Sequence, residues 1–207
     1  MKNPARNNPS EVAREFYSGR YAEYGASIEA VGWSSAEKQE LRFRVLAAID
    51  EIDGARVLDV GCGFGDMLDY FIRSGKNVQY FGMDIMDDFV NTAQVRFPGA
   101  QLFAFDILND VPEGFEPPFD YVLASGLLGL NLCDSGEFAH EALRKMYEWC
   151  GTGVAANFVS SYVDYREDYL AYTSPEEIFK FCKTELTDRV ALRHDYLPHE
   201  FSLYLYR

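Results

Sequence analysis

Positive charge is scarce in this chain. Its 207 residues carry 19 Lys and Arg against 33 Asp and Glu, a formal net charge of −14. Proteins that grip nucleic acid neutralise phosphates with Lys and Arg, and no Lys/Arg run occurs here, so no nucleic-acid partner is expected. Long apolar runs are missing too. No stretch approaches the roughly 20 residues a membrane-spanning helix needs. The opening Met1-Lys2-Asn3-Pro4-Ala5-Arg6-Asn7-Asn8-Pro9 lacks the apolar core of a secretory signal. A cytoplasmic protein with no membrane partner is therefore expected. Cysteine is sparse: Cys62, Cys133, Cys150 and Cys182 include no C-x-x-C pair. That removes the common zinc pattern, and no metal is expected. Scattered cysteines in a cytosolic chain are expected to be reduced and buried.

What remains is ordinary globular material, 48% hydrophobic and 25% charged. The length favours one domain over residues 1–207. Residues 1–9 are polar with two prolines and read as disordered. Residues 10–52 read as N-terminal helices, the first from Ser10 to about Tyr24, the second capped by Ser34 or Ser35 and running to about Ile52. From residue 53 onward strands and helices alternate. Strands are predicted at 56–60, 78–83, 101–105, 120–124 and 153–160, with helices at 66–74, 86–97, 136–149 and from Ser174-Pro175 to about Thr184. Arg189 to Tyr196 and Glu200 to Tyr206 then read as a hairpin about Leu197-Pro198-His199. The expected class is α/β, a three-layer, mostly parallel seven-stranded sheet closed by an antiparallel hairpin.

The most informative run is Val57-Leu58-Asp59-Val60-Gly61-Cys62-Gly63-Phe64-Gly65-Asp66. An apolar strand enters a turn with three alternating glycines, and a helix pattern follows. Glycine has no Cβ, so the chain can bend sharply and a ligand can approach the main chain. Such turns lie at the carboxyl edge of a parallel sheet, where open α/β sheets bind ligands. A Walker loop is excluded, because no Lys-Ser/Thr follows. A dinucleotide fingerprint wants a last glycine where Asp66 stands. An acid there would also repel a pyrophosphate at the helix N-terminus.

The run from Val57 to Gly65 resembles the first motif of class I S-adenosylmethionine-dependent methyltransferases, of the small single-domain type. Three later strand ends agree with the resemblance: Phe81-Gly82-Met83-Asp84, Phe103-Ala104-Phe105-Asp106-Ile107 and Phe119-Asp120-Tyr121-Val122-Leu123-Ala124-Ser125-Gly126. The resemblance implies a Rossmann-like methyltransferase fold with N-terminal lid helices and S-adenosyl-L-methionine as cofactor. By the same resemblance Asp59 would face the cofactor's ammonium, and Gly61, Cys62 and Gly63 would line its methionine part. Asp84 would accept the ribose hydroxyls while Ile85 covers the adenine. Asp106 would accept from the adenine amino group, with the Ile107 backbone at the ring. Ser125 and Gly126 would floor the methyl position.

The acceptor side is less legible. Phe16, Tyr17, Tyr21, Tyr24 and Trp33, then Tyr162, Tyr165, Tyr169 and Tyr172, form an aromatic set suited to a pocket or to plain lid packing. Arg42, beside an apolar helix stripe, implies an anion partner: the cofactor carboxylate, a substrate acid or an internal salt bridge. Tyr162, Tyr165 and His194 are the candidates for a catalytic role; His140 reads as solvated on a surface-type helix, and His199 sits in the hairpin turn. A small-molecule methyl acceptor, accepting through oxygen or nitrogen, is the leading expectation. A protein methyltransferase, a non-catalytic S-adenosylmethionine-binding module and a nicotinamide dehydrogenase are the alternatives.

Overall fold

The computed structural model describes residues 8–33, 35–132 and 134–207. Most of the expected disordered start, the alternative cap Ser34 and the thiol of Cys133 lie outside those residues. Five strands run parallel: β1 (Arg56–Val60), β2 (Gln79–Asp84), β3 (Gln101–Ala104), β4 (Phe119–Ala124) and β5 (Cys150–Ser160). The two-residue β6 (Tyr172–Thr173) adds beside the end of β5. The closing hairpin, β7 (Val190–Leu197) and β8 (Glu200–Tyr206), joins antiparallel through β8 to β5. The spatial order is β3-β2-β1-β4-β5-β8-β7. The order reverses between β1 and β4, which opens a crevice at their carboxyl ends.

Strand parity decides which face each side chain joins. Leu58, Val60, Phe81, Met83, Val122 and Ala124 point to one face, under α5 (Ser135–Trp149) and α6 (Pro175–Phe181). Val57, Tyr80, Tyr121, Leu123 and Ala155 point to the other, under α2 (Ala36–Leu46) and α3 (Asp66–Arg73). These are the three layers the alternating sequence implied. A smaller cluster joins α4 (Asp87–Arg96) to the rest through Phe89, Phe64, Met86 and Ala30, and Tyr17 and Tyr21 of α1 (Pro9–Tyr24) pack on it.

Several expected boundaries move. α1 starts at Pro9, because proline suits the first turn and the Asn8 side chain accepts from Ser10 N at 3.1 Å. Pro9 therefore does not belong to a disordered start. α2 is capped by Ser35 and stops at Leu46, followed by a tight 3₁₀ turn over Ala47–Ile49 instead of helix to Ile52. α6 ends in a single wide turn at Cys182–Leu186. The sheet has eight strands, not seven, because the loop after β5 returns to pair Val159 with Tyr172 and Ser160 with Thr173. Cys62, Cys150 and Cys182 are buried and unbridged.

A buried ion pair joins α2 to β8. Arg42 of α2 donates from Nε to Glu200 Oε2 at 2.6 Å, and its terminal nitrogen meets the other carboxylate oxygen. Each side chain is only 5% exposed. The anion that Arg42 required is thus a protein carboxylate at the start of β8. Trp33 covers the guanidinium, 4.3 Å from its ring centroid. Breaking a buried pair from one side leaves an uncompensated charge, and such losses run about 3–5 kcal/mol. Glu200→Gln should therefore lower stability by about that much in urea unfolding, while Arg42→Met combined with Glu200→Leu should recover most of it. A Glu200→Gln protein as stable as the parent would show that the pair does not hold the hairpin to α2.

Candidate active site

At the end of β1 the chain bends through Gly61, Gly63 and Gly65, all at positive φ (+78°, +54° and +80°). L side chains rarely adopt that conformation, so the alternating glycines are a backbone requirement. Strand β2 holds the turn. Gly61 N and Cys62 N both donate to Met83 O, at 2.8 and 2.9 Å. Gly63 N donates to the Asp84 carboxylate at 2.9 Å, and the other Asp84 oxygen accepts from Met86 N at 2.9 Å. Asp84 thus ties the turn after β1 to the start of α4 and stands beside the cleft.

The turn forms one wall of a cleft of about 1010 Å³ counted to its mouth. Carboxylates ring it: Asp59 on β1, Asp66 opening α3, Asp84 ending β2 and Asp106 after β3. No Lys, Arg or His is among the described residues that line it. Asp59 is 2% exposed and accepts from the Tyr80 hydroxyl at 2.7 Å. Burial pushes its pKa up to about 7, against the lowering effect of Tyr80 and with Asp84 and Asp66 adding to the rise. Burial also raises Asp84, opposed by the backbone N–H groups of Met86, Gly63 and Ile85. Asp66 is balanced from outside by Arg96 at 2.7 Å. Burial lifts the Cys62 thiol well above its ordinary value, so Cys62 is a packed wall of the turn and no thiolate nucleophile.

The cleft brings together Asp59, Gly61, Cys62, Gly63, Asp84, Ile85, Asp106, Ile107 and Ser125. Ser125 Oγ is buried without a hydrogen-bond partner. An orphan hydroxyl at a strand end, facing a cavity, is a ready contact for a ligand. Four expected residues stand elsewhere. Arg42 is held by Glu200 and does not line the cleft, which corrects its reading as a cofactor clamp. Tyr162 and Tyr165 are 62% and 73% exposed, because the loop after β5 turns them outward; the Tyr162 hydroxyl donates to Glu176. His194 lies on β7 against Tyr162 and Phe201, away from the cleft. None of these three lines the cleft.

Two residues enter that the sequence had not singled out for the site, Ser10 and Asn157, and Tyr17 of the expected aromatic set joins them. Ser10 of α1 donates its hydroxyl to Asp106 Oδ2, closing the helix over the cleft. Ser10 reads equally well as a helix start, so nothing local marked it. Tyr17 lines the cleft, and burial, with the Asp84 charge, raises its pKa to about 12. Asn157 is 4% exposed on β5 and accepts from Gly126 N at 2.8 Å. A lone amide inside Val154-Ala155-Ala156-Asn157-Phe158-Val159 was the available signal for it.

Asp59 has a consequence for stability. Its ordinary carboxylate value is 3.8 and its folded value about 7. Between those values the unfolded chain has released the proton while the folded chain still holds it. The unfolded state therefore binds fewer protons, and stability falls as pH rises through that window. Each unit of separation is worth about 1.36 kcal/mol, so the fall amounts to a few kcal/mol. Urea unfolding from pH 4 to 8 should show this slope, and Asp59→Asn should flatten it. An unchanged slope in Asp59→Asn would assign the proton to another group.

A methyltransferase-domain family matches residues 58–154. The protein named "Putative methyltransferase Rv1506c" of Mycobacterium tuberculosis (strain ATCC 25618 / H37Rv) is 32% identical over 161 residues, 75% of this chain and 95% of that one. Among solved structures, the DhpI-SAM-HEP complex has a TM-score of 0.70 at 15% identity, with 100% of both chains covered. Magnesium protoporphyrin IX methyltransferase from Synechocystis PCC 6803 with bound SAM has a TM-score of 0.67 at 14% identity, again covering 100% of both. At those identities the structural likeness carries the fold, and the sequence relative carries the family. With the strand order and the glycine turn in agreement, this chain belongs to the class I S-adenosylmethionine-dependent methyltransferases.

Proposed function

We propose that the protein moves a methyl group from S-adenosylmethionine to an oxygen or nitrogen of a small molecule by in-line displacement, as one catalytic unit over residues 1–207. The observation that carries the cofactor half is the lining of the cleft: four carboxylates and no cation among the described residues. A dinucleotide pyrophosphate would be repelled there. A ligand with a sulfonium and an ammonium is attracted. Asp59 would hold the ammonium, Asp84 the ribose hydroxyls and Asp106 the adenine amino group. Ile85 and Ile107 would flank the ring, and the open backbone at Gly61 and Gly63 would meet the methionine part. Ser10 now occupies one oxygen of Asp106, so α1 would share that carboxylate with the adenine or release it.

The sulfonium supplies an already activated methyl. The chain's own task is to align an acceptor with the S–CH₃ bond and exclude water. In that transfer an acceptor lone pair would form the new bond to the methyl carbon as the C–S pair returns to sulfur, and the acceptor's proton would leave to solvent. No histidine lines the cleft among the described residues, and Tyr17 keeps its proton at neutral pH with a pKa of about 12. Positioning, and not a strong base, is the contribution these residues support. The concave, largely apolar lining of the cleft supports a small acceptor, and the charge of −14 disfavours a nucleic-acid one.

The direct test is turnover with cofactor labelled in its methyl group, incubated with fractionated extracts. Label in small molecules is expected; label in protein alone would overturn the small-acceptor reading, and none at all would favour a binding module. Asp84→Ala should weaken cofactor binding by roughly 1–3 kcal/mol through lost charge-assisted hydrogen bonds, and unchanged affinity in calorimetry would remove Asp84 from the site. Affinity should also rise with pH up to about 7 and then level, because Asp59 must lose its proton to face an ammonium. Asp59→Asn should abolish that rise.

A further inference from the structure

A second cavity, of about 510 Å³ including the open solvent at its mouth, adjoins the cofactor cleft. Tyr17, Val31, Trp33, Gly126 and Leu130 line both, so the two spaces meet near the end of β4. Two loops are sewn together at its edge. Asn131 N donates to Tyr169 O at 2.8 Å, and Ala171 N donates to Gly129 O at 3.0 Å. These bonds pin the segment after β5 to the loop after β4, so the chamber has a built wall.

The walls are aromatic. Phe16 of α1 and Tyr169 lie with ring planes 20° apart and centroids 6.0 Å apart. A flat ring between two others needs about 7 Å, two stacking contacts of roughly 3.5 Å each. The two rings now stand closer than that, so a guest ring would require Tyr169, which is 48% exposed, to move outward. Trp33 packs against Gly126: a Cβ there would lie 2.6 Å from the indole, and Gly126 itself has φ +84°. The indole therefore sits flush against the backbone where the two spaces join.

The polar end is buried and electrically closed. Asn157 and Glu200 line it, each 4% exposed. The Glu200 charge is matched by Arg42, and Asn157 Nδ2 donates to Glu200 Oε2 at 3.4 Å. No free cation lines the chamber among the described residues, so nothing there would neutralise an anionic guest. Desolvating an unpaired charge in such a space is costly. The oxygens of Asn157 and Glu200 accept hydrogen bonds and cannot donate them.

We propose that this chamber receives the methyl acceptor, and that the acceptor is a planar, uncharged aromatic molecule of one or two rings bearing an O–H or N–H. The assignment rests on the methyltransferase reading above. The ring would stack between Phe16 and Tyr169, its donor would face the Asn157 and Glu200 oxygens or the junction at Gly126, and the accepting atom would reach the cofactor cleft past Trp33.

Calorimetric titration of the full chain tests this with 2-naphthol, its anionic analogue 2-naphthoate and the saturated, non-planar analogue decahydro-2-naphthol. Each is run with S-adenosylhomocysteine present, after titration of S-adenosylhomocysteine alone. Naphthol is expected to saturate one site and to quench tryptophan fluorescence, with naphthoate and the saturated alcohol binding more weakly. Tyr169→Ala should weaken naphthol about three- to tenfold, the range of one aromatic pair, Tyr169→Phe should restore it, and S-adenosylhomocysteine affinity should be unchanged in both. If S-adenosylhomocysteine binds but naphthol does not, or naphthoate binds as tightly, or Tyr169→Ala has no effect, the chamber assignment is overturned while the cofactor reading stands. If S-adenosylhomocysteine itself fails to bind, the cofactor reading falls, and the acceptor role of the chamber with it.

Discussion

Strand β2 holds the turn after β1, and the site depends on that constraint. Met83 O accepts from two successive amides, and the Asp84 carboxylate accepts from a third, at Gly63. Three residues in the left-handed region would be costly for any side chain but glycine. Once bound to β2, the bend exposes its backbone toward the crevice where the strand order reverses. Asp84 does two things from one position. It anchors the bend and the entry to α4, and it borders the cleft that the bend creates.

The second feature is electrostatic. Strand parity puts Asp59 and Tyr80 on the same face of neighbouring strands, where the phenol donates to the carboxylate. Burial keeps Asp59 near the midpoint of its titration at neutral pH. A buried acid poised in this way gains most from a nearby cation. The remaining carboxylates of the cleft add to that preference, and Arg96 balances only Asp66, from the outer side. On the far side the Arg42–Glu200 pair locks α2 to β8 and, through Asn157, reaches the Gly126 amide. The cleft and the cavity beside it thus rest on two separate polar networks.

Much of the sheet was legible because buried parallel strands read as short apolar runs between turns. The run Val57 to Val60 and the run Tyr121 to Ala124 are of that kind, and both lie where expected. The grouping of Asp59, Gly61, Gly63, Asp84 and Asp106 at one cleft was legible for a related reason: these residues sit at strand ends and in one local turn. Contacts made across the fold were not. Arg42 demanded an anion, but its partner lies 158 residues away. Ser10 carried a plausible local role as a helix start and instead reaches Asp106. The tyrosines split. Tyr17 and Tyr169 face the cavities, while Tyr162 and Tyr165 point to solvent. Spacing in the loop after β5 has no period that would separate Tyr169 from Tyr162 and Tyr165.

The most direct measurement is a crystal structure with S-adenosylhomocysteine. Density is expected along the bend from Gly61 to Gly65, with the amino group toward Asp59 and the ribose on Asp84. A well-ordered crystal that leaves this crevice empty at saturating ligand, or that seats the ligand elsewhere, would contradict the central claim.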